Sequence, residues 1–246
     1  MNEADFSQEH GFRMRGAQPT RIDAFVDAAF AFAVTLLIVS VGHVPSTVPD
    51  LIQAMRGVPA FLASFLLLAR FWLSHRHWSR CYGLEDGPSV RLSLALVFVV
   101  LIYVYPLRMV ANMTLAMLSG GALAEQSIEI HTLADLRMLY LAFASGYGAV
   151  VIIFALLYRH ALVRADALQL TASERVRTRS MAERYGALAC IALLSLVLAA
   201  LLPAGHASML IYWLPGMVYA LIYPATLLIA RRERAALAAL VPPSGP

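Results

Sequence analysis

Few residues in this 246-residue chain are equipped for chemistry. Asp27 is the single interior carboxylate of an apolar run, Arg21–Gly42 (RIDAFVDAAFAFAVTLLIVSVG). Trp72 and His75 stand three apart and share one face of a helix. A carboxylate and an imidazole together offer proton transfer, because histidine titrates near neutral pH. His75 and His77 invite a metal or haem reading, and it fails on spacing. Two positions on a helix at i, i+2 diverge, and no Cys or carboxylate joins them at ligand spacing, so no metal and no cofactor is expected. Arg56, Arg70 and Arg108 do not recur at every third position, so none of these helices is a voltage sensor. A T-V-G-Y-G filter, a nucleotide loop, a nucleophile elbow and paired catalytic carboxylates are all absent. An enzyme is not expected.

The elements that must hold these residues follow from composition. The chain is 60% hydrophobic and only 14% charged, with mean hydropathy +0.70. A soluble domain of this length carries about 25% charged residues. The apolar runs are too long for barrel strands, so the expected class is all-α, a polytopic membrane protein whose backbone groups are satisfied within each helix. Spans are expected over residues 20–43, 51–79, 90–117, 133–160, 184–202 and 207–230. Asp50 is a candidate N-cap for the second. Pro106 is expected to kink the third, and Pro215 and Pro224 to interrupt the sixth. Loops are expected at Pro45–Pro49, Gly83–Pro88, Ser119–His131 (with Glu125 and Glu129) and Pro203–Gly205. Residues 161–182 read as a helical, arginine-rich extension of the neighbouring spans.

All 19 basic residues are arginine, and the net charge is +4. The arginines flank alternate helix ends, where topology accounts for them better than nucleic acid does; no nucleic-acid partner is expected. The segments near 44–50, 119–131 and 203–206 carry none. The positive-inside rule then puts both termini in the cytoplasm. The arginines of 159–184 read as anchors beside anionic lipid heads. Residues 1–18 are polar with both charge signs, a mobile tail and not a signal peptide. Residues 19–234 form one six-helix membrane domain, and 235–246 a second tail. Cys81 falls at a cytoplasmic helix end and Cys190 within a span, so a disulfide is not expected.

The first helix has two distinct faces. At about 100° per residue, with Phe32 as zero, Arg21, Phe25, Ala28, Leu36 and Val39 fall within about 40° and Thr35 at about 60°. Asp27 lies about 140° round, so its charge must find a partner inside the protein, since a bare carboxylate in lipid is costly. Ala24, Ala28, Ala31 and Thr35 are small residues at spacing that permits close helix–helix approach. Packing into an ordinary apolar core predicts the same stripe.

Arg21-x-x-x-Phe25-Val26-Asp27 before a span resembles the R-x-x-x-F-S-D signature of the transmembrane protein 175 family, the lysosomal and prokaryotic potassium channels. Ala31-Phe32-Ala33-Val34-Thr35-Leu36-Leu37 resembles that family's A-I-A-I-T-L-L run. Ser64-Phe65-Leu66, then Trp72-x-x-His75-Arg76, is similar to its S-F-L and W-x-x-H-[HR] elements. The order and hydropathy of the remaining helices agree, so the likeness covers the whole chain in architecture and residues 21–80 in detail.

The resemblance implies a non-classical cation channel of the plasma (inner) membrane, taking K+ and assembled as a homotetramer in the lipid bilayer. It puts Phe32, Thr35, Leu36 and Val39 along the pore, with an apolar constriction and a threonine used for potassium preference. It also implies a cytoplasmic-side lock of Arg21, Asp27, Trp72 and His75. One apolar pore helix per chain cannot enclose a path alone, which by itself requires an oligomer. Two departures stand out: Val26 replaces the signature serine, and Phe32 replaces the isoleucine of the constriction. Four Phe rings can seal a narrow pore by dewetting or turn their faces to a cation. The rival readings are a proton-coupled transporter or proton pathway through Asp27 and His75, and a non-conducting scaffold on the same fold.

Overall fold

Where the chain meets lipid it has no water to satisfy its amides, and every long apolar run is accordingly helical. The structure, a computed structural model, describes residues 8–9, 12–16, 18–39, 46–123, 132–202 and 209–240. Two short antiparallel strands, β1 (Gln8–Glu9) and β2 (Phe12–Arg13), precede the helices. The helices are α1 (Arg21–Val39), α2 (Val48–Arg56), α3 (Val58–Tyr82), α4 (Gly87–Leu118), α5 (Leu133–Val163), α6 (Ala172–Ala200), α7 (Met209–Met217) and α8 (Ile222–Ala238). A 3-10 turn, Val218–Leu221, joins α7 to α8. Among the described residues, six helical stretches are long and apolar enough to cross a membrane: α1, α3, α4, α5, α6, and α7–α8 taken as one.

Two expectations are revised at the ends of these helices. The second span is broken into α2 and α3 at Gly57, whose N–H donates back to Ala54 O at 3.0 Å. Pro59 has no N–H to continue a helix through this point, but it fits the first turn of a new one. Asp50 is not the N-cap of α2. Thr47 is, and Asp50 closes the reciprocal capping box with it. Pro106, where a kink is expected, lies inside α4, which is helical on both sides of it. The sixth span is interrupted as expected, at the 3-10 turn between Pro215 and Pro224. The arginine-rich connection is mostly helix, with only residues 164–171 between α5 and α6. Pro45, Glu125, Glu129 and the Pro203–Gly205 turn lie outside the described residues.

The core lies between α1, α3, α4, α5 and α6. Phe71 is its hub, with the rings of Tyr147, Tyr103 and Phe154 at 6.2, 6.4 and 6.5 Å. Gly146 lets α5 approach α4 closely: a Cβ there would stand 2.2 Å from Tyr103 Cδ2. Arg108 is buried beside this core, and its Nη1 donates to Leu37 O at 2.9 Å, holding the last turns of α1. That carbonyl is near the negative end of the α1 dipole, where a cation is favoured.

The expected mobile tail is corrected over residues 12–16. Phe12 and Met14 are buried, and the Phe12 ring meets Tyr82 edge-on at 5.5 Å. On the opposite face Arg13 and Arg15 reach Glu174, which is 1% exposed. Residues of an extended segment point alternately to two sides, so F-R-M-R packs apolar on one side and charged on the other. Gly16 N–H closes the strap onto Arg80 O at 2.9 Å.

Asp86 caps α4 between the second and third spans. It accepts from Ser89 Oγ at 2.7 Å and from His160 Nε2 at 2.7 Å. Burial alone would raise its pKa, but the hydrogen bonds from Ser89 and His160 hold the carboxyl below the ordinary 3.8. A group lowered on folding adds stability above its unfolded pKa and loses it as pH falls through the folded value. Asp86→Asn is therefore expected to melt at a lower temperature than the parent at pH 7. The gap should close below about pH 4. Equal melting temperatures at pH 7 would count against this cap.

Candidate pore face and the polar network beneath it

Helix α1 divides its sides sharply. Val26, Phe30, Ala33 and Leu37, spaced four and three apart, are buried in the core. Phe25, Ala28, Ala31, Phe32, Thr35 and Val39 stand exposed, Phe32 at 55% and Val39 at 66%. Leu36 is half-buried at the edge, packed against the core. The exposed side is wider than the stripe read from the helical angles: Ala24, Asp27 and Ile38 are exposed as well, and Leu36 leans inward. Packing inside one chain does not cover these residues.

Thr35 Oγ donates to Ala31 O at 3.1 Å. This back-bond occupies the hydroxyl hydrogen and leaves the oxygen lone pairs on the exposed side, where they can accept from or ligate a passing group. Val26 is 0% exposed. At this site an apolar side chain fills core volume, so the serine-to-valine departure is a packing substitution in this chain.

Asp27 is held by Trp72, whose Nε1 donates to Asp27 Oδ1 at 2.6 Å. The Arg76 guanidinium sits over the Trp72 ring at 5.5 Å, a cation–π contact that orients the indole. His75 lines the same small cavity as Asp27, about 270 Å³ in volume, together with Asp23, Arg76 and Arg80. Its Nε2 nevertheless pairs with Ser93 Oγ on α4 at 2.9 Å, and not with Asp27. Arg21 is exposed at the first position of α1 and does not line this cavity. Of the four expected lock residues, then, Asp27 and Trp72 are joined directly, His75 is adjacent and turned to α4, and Arg21 stands outside.

Sequence reasoning missed Asp23, Ser93 and Glu174, and had Arg76 only as part of the W-x-x-H-[HR] element. Asp23 had a signal: Thr20-x-x-Asp23 before an apolar run is a capping box, and Asp23 Oδ2 accepts from Thr20 N–H at 3.0 Å while Asp23 N–H donates to Thr20 Oγ at 3.2 Å. Ser93 had none, since its partner lies 18 residues away on another helix.

Four similarities to known proteins bear on this arrangement. The family described as endosomal/lysosomal potassium channel TMEM175 matches residues 21–106, which hold α1, the Asp27–Trp72 pair and Ser93. A protein of Marivirga tractuosa named potassium channel is 32% identical over 225 residues, 89% of this chain and 90% of its own length. The solved structure of the potassium channel MtTMEM175, a threonine-to-alanine variant in complex with a Nanobody-MBP fusion protein, is 30% identical. It superposes with a TM-score of 0.78 over 93% of this chain and 99% of that one. A lysosomal potassium-selective channel TMEM175 homolog from Chamaesiphon minutus is 21% identical, with a TM-score of 0.54, and shares the fold. The 32% identity spans nearly the full length of both chains, and the family match includes the helix that carries the exposed stripe, so this chain belongs to the TMEM175 family.

Proposed function

We propose that this chain is the subunit of a homotetrameric potassium channel of the plasma membrane, with both termini in the cytoplasm. The observation that carries this is the exposed apolar stripe of α1: Phe32 and Val39 lie open while Val26, Phe30, Ala33 and Leu37 are sealed in the core. Four such stripes facing one axis make a narrow apolar neck. Ions would shed part of their hydration there, and the Thr35 oxygen would replace some of it. The relatives named potassium channel support the choice of ion. Asp27 is a fixed anchor in this reading, because its oxygen is committed to Trp72.

Purified protein in liposomes is expected to pass K+ faster than Na+. Silence from intact oligomers would favour the scaffold. Asp27→Asn separates the anchor from a proton pathway. The anchor reading expects fewer assembled oligomers and a lower melting temperature, because a charge-assisted bond of about 1.5–3 kcal/mol is weakened. A proton pathway expects full assembly with flux abolished.

A further inference from the structure

We propose that Met14, His77 and Cys81 form a binding site for a soft monovalent metal cation of the copper(I) class. His77 and Cys81 are one turn apart on α3, which corrects the expectation that no cysteine joins the histidines at ligand spacing. Cys81 Sγ lies 3.5 Å from His77 Nε2 and 3.8 Å from Nδ1, and 4.0 Å from Met14 Sδ. Metal–sulfur bonds of about 2.3 Å and metal–nitrogen bonds of about 2.0 Å in a trigonal site put two sulfurs about 4.0 Å apart and sulfur from nitrogen about 3.7 Å apart. The distances around Cys81 match without moving the backbone. A turn of the exposed His77 ring aims a nitrogen lone pair at the ion.

The donor set selects the ion. A thioether, a thiolate and an imidazole are soft ligands suited to copper(I). Binding displaces the Cys81 proton, so one proton is released and the thiolate balances one positive charge. No carboxylate belongs to the triad to balance a second. Met14 and Cys81 are 2% and 1% exposed, and an uncompensated charge among them would be costly. Zinc needs a fourth ligand of its own kind, and among the described residues no group of three His, Cys, Asp or Glu is arranged to hold a metal. Met14 sits on the strap that leads into α1, and His77 and Cys81 sit on α3. A bound ion would therefore pin the strap to α3 at the base of α1.

The test is a copper(I) titration of the full-length protein, under ascorbate and in competition with bicinchoninate. The background is Cys190→Ser, because Cys190 is a second, exposed thiol. One ion per chain is expected, with a rise in melting temperature on loading. Cys81→Ser, Met14→Leu and His77→Gln should each weaken binding at least tenfold and abolish that rise. Met14→Leu conserves volume and His77 is exposed, so these two decide the matter where Cys81→Ser fails to fold. No copper bound by the parent, unchanged affinity in Met14→Leu, or zinc binding as tight as copper would each overturn the site.

Discussion

Glu174→Ala is expected to be the most destabilising single substitution at the end of the molecule where the N-terminal strap packs, lowering the melting temperature in detergent by roughly 10 °C. The carboxylate is 1% exposed and accepts from four groups. Arg13 N–H donates to Oε1 at 2.9 Å, Arg15 Nη2 to Oε2 at 2.8 Å, Arg13 Nη2 to Oε2 at 3.4 Å, and Thr171 N–H to Oε2 at 2.9 Å. Removing one partner of a buried ion pair costs about 3–5 kcal/mol, because the other charge is left desolvated. Here the side chains of Arg13 and Arg15 keep 23% and 12% exposure, which favours the lower end of that range. About 3 kcal/mol corresponds to roughly 6–12 °C for a chain of this size. Glu174→Gln keeps the volume and an oxygen for the Thr171 amide but loses the charge, and should fall between. If the pair behaved as an exposed one, worth about 0–1 kcal/mol, Glu174→Ala would melt within about 4 °C of the parent.

That clasp also marks how far the sequence could be read. The six spans were legible because a membrane imposes a length, and each apolar run reaches it. Part of the exposed side of α1 was legible because 100° per residue is a property of the backbone and needs no partner; the exposure of Ala24, Asp27 and Ile38 was not read. Helix starts were legible in principle: Thr20-x-x-Asp23, Thr47-x-x-Asp50, Thr132-x-x-Asp135 and Thr171-x-x-Glu174 are all capping boxes in the structure. The break at Gly57 was legible in Pro59. What stayed hidden is contact between distant segments. F-R-M-R at 12–15 alternates as a strand does, but four residues in a polar tail carry too little pattern, and its partner Glu174 is 161 residues from Arg13. His75 pairs with Ser93 and not with Asp27 although α3 packs against both α1 and α4, and the sequence does not say to which neighbour a side chain turns. The Asp27–Trp72 bond joins residues 45 apart and was reached only through the family motif.

Phe32→Ala is expected to raise cation flux about tenfold or more and to reduce the preference for potassium over sodium. In the proposed tetramer four Phe32 rings approach one axis, and the work of passing an ion is largely the work of stripping its water against apolar walls. Alanine removes the ring and leaves room for a hydrated ion. A tenfold rise needs only about 1.4 kcal/mol off the barrier, well within what relieving partial dehydration supplies. The wider neck should discriminate less, since both ions then keep their shells. Thr35→Ala makes the complementary case: it deletes the outward oxygen without widening the neck at Phe32, so selectivity should fall while flux changes little. The pattern of the two variants separates pore from packing. If Phe32 serves only to pack one subunit against another or against lipid, its loss removes buried area and costs about 3–5 kcal/mol as other Phe→Ala changes do. Oligomers would then weaken and flux would drop or stay level. Measuring subunit number beside flux on the same liposome preparation distinguishes these outcomes, because an open neck in an intact oligomer and a loosened oligomer move the two readings in opposite directions.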